Sequence, residues 1–223
     1  MSTLLTEMQS AIAQPNQAAM AFPQSLAEKY RPQAISEFVG LEKQRKVISK
    51  LVAQPFSSAW LFVGPPGVGK TSMALAIASE LRAELHHIPS QECNVENVAY
   101  VIRQCQYVPL SGGFHIVLVD EADAMSNAAQ LAFLSKLDAT AFPPATIFVF
   151  TCNATDRLEA RFLSRCRVLE FSSYGLSEDL TALLSRVWQT EAPGIPEPNL
   201  KRLAQGNNVR ESLMRLELAL MES

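Results

Sequence analysis

Apolar positions along this chain fall into two patterns that alternate for most of its length. In "LEKQRKVISKLVA" (41–53) they recur at helical spacing among charged residues, which predicts a helix with one buried face. "AWLFV" (59–63) is a short unbroken apolar run and predicts a strand entering a glycine-rich turn. The following stretches read as a helix over 71–82, a strand at "AELHHI" (83–88), and a helix over 94–106 with Asn94 as its N-cap. "HIVLVDEAD" (115–123) predicts a buried strand ending in acids. Ser126 can cap the helix behind it, and Asp123 is an alternative cap. "ATIFVFT" (145–151) and "VLEF" (168–171) supply two more strands. Strands without alternation, interleaved with helices, predict a parallel sheet covered on both faces.

The strand signal ends after Tyr174 and Gly175. Residues 176–190 and 197–221 predict two helices separated by "EAPGIPEP". The expected fold class is therefore α/β, a parallel sheet flanked by helices and followed by a small all-α lid. The expected division is a flexible N-terminal arm over 1–24, with a short helix at 3–13, a core over 25–173 and a lid over 174–223.

Composition narrows the range of partners. Of 223 residues, 48% are apolar, enough for a sizeable core. With 19 basic and 22 acidic residues the net charge is −3, so a polyanion would have to be met by a local patch. Cys93, Cys105, Cys152 and Cys166 form no CxxC pair, so they predict reduced, mostly buried thiols. His86, His87 and His115 show no metal-ligand spacing. No apolar run approaches the ~18 residues of a membrane span, and no signal-peptide pattern opens the chain. A cytoplasmic protein with no membrane partner is expected.

The chemistry begins at Gly64-Pro65-Pro66-Gly67-Val68-Gly69-Lys70-Thr71, which fits G-x-x-x-x-G-K-[ST] between a strand and a helix. Its glycines let backbone N–H groups turn inward at a helix N-terminus, a cradle for phosphates. Lys70 would reach the β- and γ-phosphates of ATP, the Thr71 hydroxyl would ligate Mg²⁺, and Ser72 completes the loop set. "IVLVDEAD" places a second acidic site at a strand end. There Asp120 would hold Mg²⁺ and Glu121 would act as general base on the attacking water.

Together, "GPPGVGKT" and "DEAD" resemble the motifs of AAA+ ATPases. "AEKYRPQAISEFVG" (27–40) and "SRC" (164–166) resemble replication factor C small subunits of the clamp-loader branch. "VENVAYVIRQCQYVPLSGGFHIVLVDEADAMSNAAQLAFLSKLD" is similar to the bacterial gamma/tau loader ATPase. The resemblance runs over roughly residues 27–221. It implies that Tyr30, Arg31, Val39 and Gly40 line the adenine and ribose, and that Asn153 is the sensor that orients the lytic water. It further implies that Arg210 is the lid sensor touching the γ-phosphate of its own subunit, while Arg165 is a finger acting in trans on a neighbour's nucleotide, with the flanking Arg161 and Arg167 as alternatives for that role. A homo- or hetero-oligomer built through the nucleotide interface follows. So does contact with the DNA backbone, at the helix starts near Asn94 and Ser126, and with a sliding clamp or other replication protein.

Against the loader pattern, a collar domain after the lid is not seen before Ser223, the loader's zinc module is missing, and the arm has no counterpart. The functional expectation is an oligomeric Mg²⁺-dependent ATPase acting on DNA like a clamp loader. Two alternatives stand beside it: a small phage, plasmid or other mobile-element ATPase that remodels a different DNA-bound protein, and an ATP-dependent interaction switch with negligible turnover.

Overall fold

The structure, a computed structural model, describes residues 24–138 and 140–222. The 3–13 helix lies outside the described residues, as does the arm up to residue 23. Five strands form one parallel sheet: β1 (Ser58–Val63), β2 (Glu84–Pro89), β3 (His115–Asp120), β4 (Thr146–Cys152) and β5 (Arg167–Glu170), in the order β2-β3-β4-β1-β5. Around it lie α1 (Leu26–Lys29), α2 (Glu42–Ala53), α3 (Lys70–Glu80), α4 (Val95–Gln104), α5 (Asn127–Leu134) and α6 (Ala160–Leu163). After β5 come α7 (Ser177–Glu191), α8 (Leu200–Leu203) and α9 (Val209–Met221).

The apolar runs are continuous because both faces of the sheet are covered. Leu61, Val117, Val119, Phe148 and Phe150 face one side with α4, α5 and α6. Trp60, Phe62, Ile116, Leu118 and Val149 face the other with α2 and α3. β2 and β5, the two edge strands, are the ones left partly exposed. Phe150 meets Phe133 of α5 at 5.1 Å and Phe162 of α6 at 4.9 Å, both edge-to-face. Each such buried ring contributes about 1.5–3 kcal/mol, and this pile fixes α5 and α6 against the strand whose end carries Asn153.

The C-terminal helices have their own core of Leu180, Leu184, Val187, Trp188, Leu213 and Leu216. Leu26 of α1 joins it, so the chain just before the sheet packs on the helices that follow the sheet. The single helix expected over 197–221 is in fact two. Gly206 (φ 94°) and Asn207 (φ 51°) adopt left-handed backbone that a helix interior cannot hold. Asn199 and Asn208 then cap α8 and α9 by accepting from the backbone N–H of Arg202 and Glu211. The strand expected over 115–123 stops at Asp120. Glu121 turns left-handed (φ 54°) and residues 122–124 form a 3₁₀ turn. Asn94 and Ser126 cap α4 and α5 as expected, by accepting from Asn97 and Ala129. Asp123 is not a cap; its carboxylate accepts the backbone N–H of Asn153 at 3.3 Å.

Candidate active site

β1 ends in the glycine-rich loop, and the loop's conformation explains its composition. Gly67 (φ 75°) and Gly69 (φ 97°) are left-handed, and a Cβ on Gly67 would run into the Asn208 side chain. The loop therefore passes directly beneath the first turn of α9, and Val209 N–H donates to Gly67 O at 3.2 Å. Lys70, the first residue of α3, points back under the loop. Its Nζ donates to Gly64 O (2.6 Å), Pro65 O (2.8 Å) and Asn153 Oδ1 (3.1 Å). Burial holds this ammonium below the usual lysine value, while Cys152, Asp120 and Asp123 act the other way. A cation stripped of water beside backbone amides is a ready partner for an anion.

At the adjacent strand ends, Thr71 Oγ1 donates to Asp120 Oδ1 at 2.8 Å, and Thr151 donates to the same oxygen. Glu121 N–H donates to Thr151 Oγ1 at 3.2 Å, which anchors the backbone of the acid pair. The Glu121 side chain is exposed and makes no hydrogen bond or ion pair among the described residues. Hard oxygen donors from Thr71 and Asp120 in contact suit Mg²⁺, which prefers carboxylate and hydroxyl ligands plus substrate phosphates.

These groups open on a cavity of about 470 Å³, a size that suits a nucleotide. Pro66, Gly67, Val68, Gly69, Lys70, Thr71 and Ser72 line its floor, and Asp120, Glu121 and Asn153 one wall. Tyr30, Arg31 and Val39 close the far end, and Arg210 reaches in from α9. Gly64, Pro65 and Gly40 do not line it. The first two present carbonyls to Lys70. Gly40 is left-handed (φ 60°) against Leu176, and turns the chain so that Val39 faces the cavity. Phe38, Leu213 and Met214 also line it, though no polar motif marks them in the sequence. Tyr30 donates its hydroxyl to Glu191 at the end of α7, and Lys29 pairs with the same carboxylate at 2.8 Å.

Arg165 is not among the cavity's lining residues. It follows α6, where Nε binds Asp138 Oδ1 at 2.6 Å and NH1 donates to the Arg161 carbonyl at 3.0 Å. Arg161 itself pairs with Glu159, and Arg167 stacks over Phe56 and Trp60. All four cysteines are free, and burial pushes Cys93, Cys105 and Cys152 up to about 11 and Cys166 to about 12, so in the absence of a metal they stay protonated thiols. His86 and His115, unrelated in the sequence pattern, are brought together with Cys105.

Residues 60–174, a little over half of the chain, match the ATPase family associated with various cellular activities (AAA). The chain belongs to this family. Within the AAA proteins it is 29% identical over 200 residues to a replication factor C small subunit of Archaeoglobus fulgidus, covering 85% of this chain and 62% of that one. It is 31% identical over 192 residues to the small subunit of Methanocella arvoryzae, covering 82% and 59%. Replication factor C subunit 3 of Blastobotrys adeninivorans is 35% identical over 160 residues, covering 68% and 46%. The chain thus spans between 46% and 62% of the length of these relatives. Among solved structures, the Thermotoga maritima RuvB Holliday junction branch migration motor superposes with a TM-score of 0.70 at 20% identity, over 87% of this chain and 68% of that one. At that identity the likeness is one of AAA fold. No helix among the described residues is long and apolar enough to cross a membrane.

Proposed function

We propose that this AAA chain hydrolyses ATP with Mg²⁺ as one subunit of an oligomer and couples turnover to work on DNA, in the manner of a clamp loader. The observation that carries the reading is a division of labour. Lys70, the Thr71–Asp120 pair, Glu121, Asn153 and Arg210 share one cavity, whereas Arg165 is anchored outside it. A site that keeps its acid–base and phosphate-binding groups but not its arginine finger calls for a second subunit.

The roles follow from chemistry. Lys70, losing its contacts to Gly64 and Pro65, binds the β- and γ-phosphates. Thr71 and Asp120 would hold Mg²⁺, which neutralises the phosphate oxygens when bound. Asn153 orients a water, Glu121 accepts its proton as the water oxygen bonds to the γ-phosphorus, and the bond to the β–γ bridging oxygen breaks to leave ADP. Arg210 senses the γ-phosphate from the lid. Arg165 of a neighbour stabilises the charge that spreads over the γ-phosphoryl oxygens. Tyr30, Arg31, Val39 and Gly40 shape the nucleoside end. We assign residues 25–173 to the catalytic core and 174–223 to the lid. The replication factor C relatives support DNA and a ring-shaped clamp as partners, and the capped starts of α4 and α5 offer backbone amides to DNA phosphates.

The deciding experiment is steady-state ATPase activity across protein concentration, with and without primed DNA, for the wild type and Arg165→Ala. Specific activity that rises with concentration and DNA and collapses in the variant supports the reading. Activity that is flat, blind to DNA and indifferent to Arg165 overturns it. Co-purification with a ring clamp separates clamp loading from work on another DNA-bound protein.

A further inference from the structure

Among the described residues, the nucleotide site leaves one cluster of metal-binding side chains unused. It lies at the β2 edge of the sheet, where β2, β3 and the C-terminal end of α4 meet. His86 Nε2 stands 3.0 Å from His115 Nδ1, and the ligand atoms of His86, His115 and Cys105 all lie within 4.8 Å of one another. Parallel pairing sets Glu84 opposite His115, and its carboxylate stands 3.7 Å from His115 Nδ1 and 4.0 Å from His86 Nε2. Cys105 and His115 are buried and His86 is partly so.

The orientation of His115 provides a second observation. Its Nε2 lies 2.9 Å from the Tyr107 carbonyl, which can only accept, so Nε2 carries the proton in the neutral ring. Nδ1 then accepts from His86 Nε2–H at 3.0 Å, and an ion between the two nitrogens would replace that proton, which moves to His86 Nδ1. A ring whose far nitrogen donates to a backbone carbonyl is the usual outer-shell arrangement of a metal-bound histidine. The spacing also fits. Zinc bonds of about 2.0–2.1 Å to nitrogen and about 2.3 Å to sulfur, at tetrahedral angles, separate ligands by roughly 3.3–3.6 Å. His86, Cys105 and His115 lie near that spacing, and the Glu84 carboxylate, 3.7 and 4.0 Å from the two imidazoles, would move inward as the fourth ligand.

We propose that Glu84, His86, Cys105 and His115 form a structural zinc site that pins the end of α4 and the 106–114 loop to the sheet edge. Two imidazoles, a thiolate and a carboxylate make a closed four-ligand set of the kind zinc takes, and the soft sulfur disfavours Mg²⁺. The thiolate and carboxylate cancel the charge of the ion, so the buried site is neutral when filled. Binding releases the Cys105 thiol proton to solvent. The clip reinforces two contacts already holding the loop, His115 Nε2 to Tyr107 O and Leu110 N–H to Glu84 Oε2 at 2.8 Å.

The test uses the full chain, freed of metal by chelator and without nucleotide. Zn²⁺ is titrated in competition with a chromophoric chelator, and Co²⁺ serves as the spectroscopic probe. One equivalent is expected, with a thiolate-to-cobalt charge-transfer band and tetrahedral visible bands. Cys105→Ser should abolish the charge-transfer band although Cys93, Cys152 and Cys166 remain. His86→Gln, at a partly exposed position, should keep the wild-type circular dichroism and weaken Zn²⁺ at least about tenfold. Asp120→Asn should keep the full equivalent. The proposal is overturned if the wild type binds no stoichiometric metal, if Cys105→Ser and His86→Gln bind as well as wild type, or if Asp120→Asn alone loses the ion. None of these results bears on ATP hydrolysis.

Discussion

Three oxygens hold Lys70 Nζ: the carbonyls of Gly64 and Pro65 and the Asn153 side chain. They replace water that burial has removed, but none carries a full charge, so a phosphate can displace the two carbonyls. Lys70→Ala should therefore abolish measurable ATP binding in a fluorescent-nucleotide titration. Glu121 makes the opposite case. Its carboxylate is free among the described residues and contributes nothing to the fold that its removal would cost. Glu121→Gln should bind ATP as tightly as wild type, yet lower kcat by about 10²–10⁴, the usual value of a positioned general base. Equal losses in binding and turnover would argue for a structural role instead. Asp138 is a residue that no motif marks. It holds the Arg165 guanidinium at 2.6 Å and so would fix the direction of the proposed finger. Asp138→Ala should lower the concentration-dependent ATPase activity by less than Arg165→Ala does, with nucleotide affinity unchanged.

At the scale of elements, the lid and the P-loop meet directly. Val209 N–H binds Gly67 O, and Asn208, the cap of α9, occupies the space a Gly67 side chain would need. Gly67→Ala should strain the left-handed backbone by about 1–2 kcal/mol and push α9 off the loop. A lowered melting temperature together with at least tenfold weaker ATP binding is expected; normal binding would show that the lid seats itself elsewhere. The same contact explains why the C-terminal helix had to break. Leu200 and Leu213 belong to one small core but lie on two directions of chain, and the left-handed pair Gly206–Asn207 makes the bend. The break was present in "QGNNVRE" as a glycine followed by two asparagines, a stop signal and a cap in sequence. Helical periodicity on both sides concealed it.

At the scale of the whole molecule, the nucleotide site joins three parts of the chain: the segment before the sheet, the strand ends and the lid. Lys29 and Tyr30 both reach Glu191, and Leu26 packs in the lid core, so the segment before the sheet is tied to the lid. Arg165 is held outside that cavity, and a mixing experiment follows from this. Arg165→Ala keeps a complete nucleotide site, whereas Lys70→Ala keeps a finger. Each should be nearly inactive alone, and a mixture of the two should recover part of the ATPase activity. Failure of the mixture, with both variants folded and able to associate, would mean that Arg165 works within its own subunit or not in the reaction at all.

Local interactions made much of this protein legible in its sequence. Unbroken apolar runs of strand length specify buried parallel strands, because only helices on both faces can hide such runs. Gly64 to Thr71 carry their chemistry in their order, since a phosphate cradle is built from consecutive amides and the adjoining helix start. The position of Asp120 and Glu121 at a strand end was legible because they close an unbroken apolar run, and the α4 cap at Asn94 because capping is local. Long-range packing decided the rest. Only folding brings Phe38, Leu213 and Met214 to one cavity, sets Asp138 against Arg165, and carries His86, Cys105 and His115 to one point from two strands and a helix end. Such contacts leave no fixed spacing, because their distance along the chain depends on how many residues each crossover needs and not on the chemistry at its ends.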